Sequence, residues 1–347
     1  IIAFLDSALE AVIRGALVNK DPGEPLFTTD LLSLTELDAA DAGIEDLSGI
    51  ERCVNLTSLN LSGNSGMGSL RYLRNLSHLT VLDLSHCGLT DISELAGLTS
   101  LEELYLDFNS ISDISPLSGL TGLTSLGLGN GKPFGENNVP NQNFNPFAEN
   151  TNYITDLSAL APLENLAYLN LGGNLGLSDI SDLDALTSLN QLLLCLNPIV
   201  SYAPLASLEN LAFLLIAGCG FGDNDIAALA GLEELNILAI LGEPGLTNLS
   251  GWSESALNPS MFVLNGVGIS DISFLEDWTD LRTLQVTYTN LSSLAPLSSL
   301  PLLETLVLNS NRIADISPLE GLENLVMLDV SNNWISSIAP IVDNAGI

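Results

Sequence analysis

The chain has 347 residues, 8 Lys and Arg against 42 Asp and Glu, a formal charge of -34, and 46% apolar residues. A surface this anionic repels phosphate backbones and anionic headgroups, which argues against nucleic-acid or membrane-surface binding. No apolar run reaches the roughly 18 residues that a bilayer-crossing helix needs, so membrane insertion is not expected and the hydrophobicity has another origin.

Residues 1–33 carry no repeat. From Leu5 the apolar residues Leu9, Val12, Ile13, Ala16 and Leu17 recur at helical spacing, and Thr28-Thr29-Asp30 ahead of Leu31-Leu32 has the form of a cap opening a second short helix. No basic region precedes Ile1-Ile2-Ala3-Phe4, and there is no small-residue cleavage site; if the natural protein is exported, its signal has been removed.

From Leu34 a period of 22 residues takes over, clearest at 101–122 and 303–324: Leu-x-x-Leu-x-Leu-x-x-Asn-x-Ile-x-Asp-Ile-x-Pro-Leu-x-x-Leu. A unit this short has no interior of its own. It buries its leucines only by stacking on copies of itself, so the pattern predicts a right-handed, curved solenoid with a concave parallel β-sheet and a helical N-terminal cap, an α/β repeat fold. The period gives about 13 repeats over 34–347, with the cap at 1–33. Leucines at the fourth and sixth positions make a short strand facing inward, and the third, fifth and seventh positions face the concave side. Proline at the sixteenth position fixes the convex turn, and asparagine at the ninth satisfies loop carbonyls and amides. The last repeat stops partway at 341–347, and the natural protein is expected to continue.

The motif, together with Ala8-Leu9-Glu10-Ala11-Val12-Ile13-Arg14 and the first repeat Leu34-Thr35-Glu36-Leu37-Asp38-Ala39, resembles the internalin-type leucine-rich repeats of bacterial surface proteins. That resemblance implies a helical cap, an exported module displayed at the cell surface, and an adhesin-like protein-binding role without catalysis. A similar 22-residue repeat occurs in intracellular phosphatase-regulating scaffolds, which is the second reading. A surface module binding carbohydrate through Tyr105, Phe108, Tyr168 and nearby acids is the third.

Two features break the repeat. The first is a change on the concave face. Repeats from 56 to 172 present polar residues there, the next four present Leu193, Phe213, Leu215, Ile237, Leu241, Met261 and Val263, and polarity then returns with Thr283, Gln285 and Thr287. A contiguous apolar patch rimmed by polar residues marks a contact surface, so these seven are expected to anchor a partner, flanked by Tyr105, Tyr168 and Tyr288. The partner is a separate protein or a second copy pairing through this face; the alternative is that another part of the chain covers it. The second feature is an insertion at 131–152, where one repeat has 43 residues in place of 22. Its Phe134, Phe144 and Phe147 predict an ordered loop packed across the rim, against the plainer reading of a tolerated surface insertion.

Metal and catalytic signals are poor. Asp223-Asn224-Asp225 and the group Asp179, Asp182 and Asp184 fall short of the six to eight ligands that calcium takes, so no metal or cofactor is expected. His78 and His86 have no nucleophile and orienting acid beside them. Cys53, Cys87, Cys195 and Cys219 have neither a disulfide framework nor zinc spacing, and Cys87 and Cys219 take the ninth position, where a thiol donates weakly to the same carbonyls.

Overall fold

The structure, a computed structural model, describes residues 2–17, 23–131, 144–148, 152–253 and 255–342. The chain divides into two compact units, 1–177 and 178–347.

The first unit opens with helix α1 (Ser7–Ala16), which buries Leu9 and Ile13. Asp6 caps it and also joins it to the first repeat. One carboxylate oxygen accepts from the amides of Ala8 and Leu9 at 2.8 and 3.0 Å, the other from those of Glu45 and Asp46 at 2.7 and 3.0 Å. Burial opposes the charge on Asp6, yet these four amides outweigh it and its pKa is lowered. The short helix α2 (Thr28–Leu31) follows. Its start differs by one residue from the sequence expectation: Thr28 is already helical, and Asp30 accepts from the Phe27 amide at 2.8 Å.

Among the described residues this unit then has six parallel strands, paired in chain order: β1 (Glu36–Asp38), β2 (Ser58–Asn60), β3 (Val81–Asp83), β4 (Glu103–Tyr105), β5 (Ser125–Gly127) and β6 (Tyr168–Asn170). The second unit has seven, again parallel and in order: β7 (Gln191–Cys195), β8 (Phe213–Ala217), β9 (Ile237–Leu241), β10 (Met261–Asn265), β11 (Thr283–Thr287), β12 (Thr305–Val307) and β13 (Met327–Asp329). Each strand falls at the position the repeat predicts. The register aligns the fourth-position leucines Leu37, Leu59, Leu82, Leu104, Leu126 and Leu169, all buried. In the second unit aromatic groups replace leucines locally, and Trp252, Phe262, Phe274 and Trp278 form a buried cluster with ring centroids 5.0 to 6.1 Å apart. These are leucine-rich-repeat solenoid units, each with parallel strands backed by short 3-10 turns.

Asparagine at the ninth position stitches one repeat to the next. Asn109 donates to Leu84 O and Leu106 O at 2.8 and 3.0 Å and accepts from the Cys87 and Leu89 amides. Asn152 does the same work at the far end of the insertion, donating to Leu106 O and Leu128 O and accepting from the Ile111 amide. It therefore belongs to the lattice, and the added stretch is 131–151. Cys87 donates to Leu61 O at 3.1 Å, and Cys219 donates to Leu194 O, so the thiols take over part of the asparagine's role. Burial pushes both thiols up, to about 11 and about 12. On the convex turns Asp91, Asp113, Asp156, Asp179, Asp271 and Asp315 each accept from the amide of the serine two residues on, at 2.8 to 2.9 Å.

Candidate binding surface

The outward faces of the two units differ at the same repeat positions. In the first unit the third-position column reads Glu36, Ser58, Val81, Glu103, Ser125, Tyr168, and the fifth reads Asp38, Asn60, Asp83, Tyr105, Gly127, Asn170. In the second unit the third-position column reads Gln191, Phe213, Ile237, Met261, Thr283, Thr305, Met327. Its fifth-position column reads Leu193, Leu215, Ala239, Val263, Gln285, Val307, Asp329.

This difference also bears on strand length. Asp and Asn at the fifth position turn back and accept from the backbone amide two residues on: Asn60 from Ser62, Asp83 from Ser85 and Asn170 from Gly172, at 2.9 to 3.0 Å. Such a turn takes the amide that the next ladder bond would use, so these strands stop after three residues. At Gly129 the amide is taken by Asp107 at 2.8 Å, with the same result. Where the fifth residue is Leu193, Leu215, Ala239, Val263 or Gln285, there is no such carboxylate or amide to intervene, and β7 to β11 run for five residues. β12, with Val307 at the fifth position, and β4, with Tyr105, still run for three residues, so the polar turn is one cause of a short strand and not the sole one.

The expected anchors separate into two classes. Leu193, Phe213 and Leu215 are 0%, 8% and 5% exposed, so the expectation that they lie open to a partner is corrected: they lie on the outward side by strand alternation but are covered. Their in-register packing contributes, because large side chains repeating about 4.8 Å apart shield one another. Ile237, Leu241, Met261 and Val263 are half-buried and present apolar surface. They alternate with the fully buried Leu238, Ile240, Phe262 and Leu264, so β9 and β10 hold them rigidly. Polar Asn265, Thr283, Gln285 and Thr287 adjoin them in the same columns.

The flanking tyrosines are not equivalent. Tyr105 is buried, and its hydroxyl donates to Glu103 at 2.8 Å; burial raises its pKa, with the Glu103 bond adding to the effect. It offers no open ring for a sugar. Tyr168 is half-buried, whereas Tyr288 is 63% exposed and has a positive φ of 53°. Positive φ recurs at the eighth position in Asp41, His86, Phe108, Leu196, Tyr288, Ser310 and Asn332, and in Gly63, Gly173, Gly218, Gly242 and Gly266. The strand exit favours it in apolar, aromatic, polar and glycine residues alike; in the repeat with the insertion it falls instead at Gly131. His86 stacks on Phe108 at 4.3 Å and 15°.

Phe134 lies outside the described residues. Phe144 is half-buried and Phe147 is 44% exposed. The foot of the insertion is held by Asn130, buried, which donates to Pro146 O at 3.0 Å. Beside it Asp107 and Asn170, also buried, share a bond of 3.3 Å, and Asn170 donates to Gly131 O at 2.6 Å. A side chain at Gly129 would collide with the Asn170 amide and one at Gly172 with Asn130, so glycine there leaves room for the network. The sequence pattern did not single out Asn130 or Asp107; Asn130 directly before the insertion, with Gly129 and Gly172 at the seventh position of adjacent repeats, was the available signal.

Among the described residues there is no group of three His, Cys, Asp or Glu side chains placed to hold a metal ion, and no helix long and apolar enough to cross a membrane.

A family profile described as "Leucine Rich repeats (2 copies)" matches residues 32–97, 77–119, 99–134 and 301–342. An internalin (inlF) of Listeria monocytogenes is 32% identical, with 99% of this chain and 94% of that one aligned and a TM-score of 0.82. Internalin C2 of the same organism (22% identity, 99% and 91% covered, TM-score 0.40) and a leucine-rich-repeat protein of Leptospira interrogans (19%, 89% and 93%, TM-score 0.49) are more distant and add no weight. Identity and coverage against the first of these, on top of the repeat lattice and cap, place this chain in the internalin family of bacterial leucine-rich-repeat proteins.

Proposed function

We propose that the chain is the non-enzymatic recognition module of an adhesin-like protein displayed or secreted by a bacterium, with 1–33 as its cap, and that it binds a protein partner through the outward sheet face of the second unit. The observation that carries this is the half-open aliphatic strip Ile237, Leu241, Met261 and Val263 on rigid five-residue strands. A protein surface gains nothing from leaving such groups wet, since each half-buried side chain forgoes part of the about 1.5–3 kcal/mol that full burial supplies. The first unit shows that the same repeat positions accept Asp, Asn, Ser and Glu.

The register supplies a test that spares the fold. Met261→Thr with Val263→Gln copies onto β10 the residues that β11 already carries in the same columns, and Leu241→Asn copies Asn265 onto β9. Wild type, this triple variant and a first-unit control, Asp83→Ser, are immobilised and exposed to the same extract of cell-surface proteins. A partner retained by wild type and control and lost by the triple variant supports the reading. Equal retention by all three overturns it.

A further inference from the structure

The charge around the strip is one-sided. From 178 to 281 the sequence contains fourteen Asp and Glu and no Lys, Arg or His. Several of these acids stand at the edge where the strands begin. Glu209 lies four residues before Phe213, Glu234 three before Ile237, and Asp280 three before Thr283; all three are exposed. Glu209, Glu233 and Glu234 line one cleft with Asn210, bringing acids of two successive repeats together. The next cation in the chain, Arg282, is already committed to Glu304 at 2.5 Å. The edge at which β8, β9 and β11 begin is therefore negative, and no Lys, Arg or His between 178 and 281 neutralises it.

Resting on the reading of this face as a binding surface, we infer that its partner is a cationic amphipathic protein segment, whose aliphatic or aromatic side chains lie on Ile237, Leu241, Met261 and Val263 while Lys or Arg side chains reach the Glu209, Glu233 and Glu234 edge. An apolar centre with a charged rim divides the work: the centre supplies residence time, the rim supplies orientation and rapid, salt-dependent encounter. An acidic or neutral segment of the same shape meets the same apolar centre but is repelled or left unpaired at the edge. A purely basic segment finds charge in many places on a chain of net charge -34 and has nothing to seat on the strip.

Three labelled peptides of one length and pattern test this by fluorescence anisotropy: a leucine/lysine amphipath, its leucine/glutamate counterpart and a serine/lysine peptide of equal charge. The leucine/lysine peptide should bind at least about tenfold more tightly than either of the others. Its affinity should fall at least about tenfold in the Leu241→Asn, Met261→Thr, Val263→Gln variant. Glu209→Gln, Glu233→Gln and Glu234→Gln together should weaken it several-fold and flatten its salt dependence, whereas Glu36→Gln, Glu102→Gln and Glu164→Gln in the first unit should not. Equal binding of the leucine/glutamate peptide, equal effects of the two sets of glutamate changes, or leucine/lysine binding indifferent to the strip variant would each overturn the inference. If the strip variant loses its natural partner while the leucine/glutamate peptide binds as well as the leucine/lysine one, the surface stands and the partner's charge is refuted.

Discussion

The two units run the same repeat with opposite outward faces. The first presents Asp38, Asn60, Asp83 and Asn170 at the fifth position, and the second presents Leu193, Leu215, Ala239 and Val263. In the first, these polar side chains are occupied with their own backbone and shorten the strands. In β7 to β11 of the second, the freed amides extend the ladder and the side chains are left for each other or for a partner. A solenoid lattice built from fourth- and sixth-position leucines thus tolerates either face, which means the face is where function can vary without disturbing the fold.

The sharpest way to break the comparison is to put a charge where the second unit is closed. Leu193→Asp places a carboxylate at a fully buried position and should cost roughly 3 kcal/mol or more in denaturant unfolding, followed by the fluorescence of buried Trp252 and Trp278. The same residue type is native at Asp83 in the equivalent column, where it is half-exposed and bonded to Ser85. A loss under 1 kcal/mol would mean that Leu193 is not covered.

Asn152→Ala tests whether the lattice resumes at that residue. It strands the buried Ile111 amide and takes one donor from each of the Leu106 and Leu128 carbonyls, which Asn109 and Asn174 still serve, for an expected loss of about 2 kcal/mol.

Glu243 is the second unit's own irregularity, a buried carboxylate in the ninth-position column. It accepts from the amides of Cys219 and, at 2.9 Å, Gly220. Burial raises its pKa, those amides partly offset the rise, and nearby Asp225 adds to it. A raised folded pKa means that the folded state holds the proton more tightly, so Glu243 favours folding most below its unfolded pKa and loses that contribution as pH climbs through the folded value. Glu243→Gln removes this dependence. Its stability relative to wild type should rise from about pH 4.5 upward and then level off; a constant difference across that range would show that the carboxylate does not titrate with folding.

The smallest effect is expected at the strand ends. Asp83→Val removes the acceptor of the Ser85 amide, and with it the brake on β3, at a change within about 1 kcal/mol. Its readout is hydrogen exchange: the Ser85 amide should remain protected if the ladder extends and should exchange faster if it does not.

The repeat was legible from end to end because leucine spacing alone decides which face is buried, and every strand fell where Leu-x-Leu put it. The cap was legible from Leu9 and Ile13. The outward strip was legible only in part, since alternation says which side Leu193 or Phe213 takes but not how much its neighbours cover it. The polar network of Asp107, Asn130 and Asn170 was missed because each residue, alone, reads as ordinary strand-exit polarity; only the structure brings 107, 130 and 170 to one place. Strand lengths were missed for a similar reason, as the Asx turn depends on a side chain outcompeting the ladder for one amide.

The protein has three methionines, which makes the binding face directly readable. Met261 lies in the strip, half-buried, Met327 is 54% exposed on β13, and Met67 is 7% exposed. Hydroxyl-radical oxidation followed by mass spectrometry, with and without the retained partner, compares them in one experiment. Met261 should be oxidised in the free protein and at least about fivefold more slowly in the complex, with Met327 unchanged in both. Oxidation of Met261 at the same rate in the complex as in the free protein would show that the partner binds elsewhere.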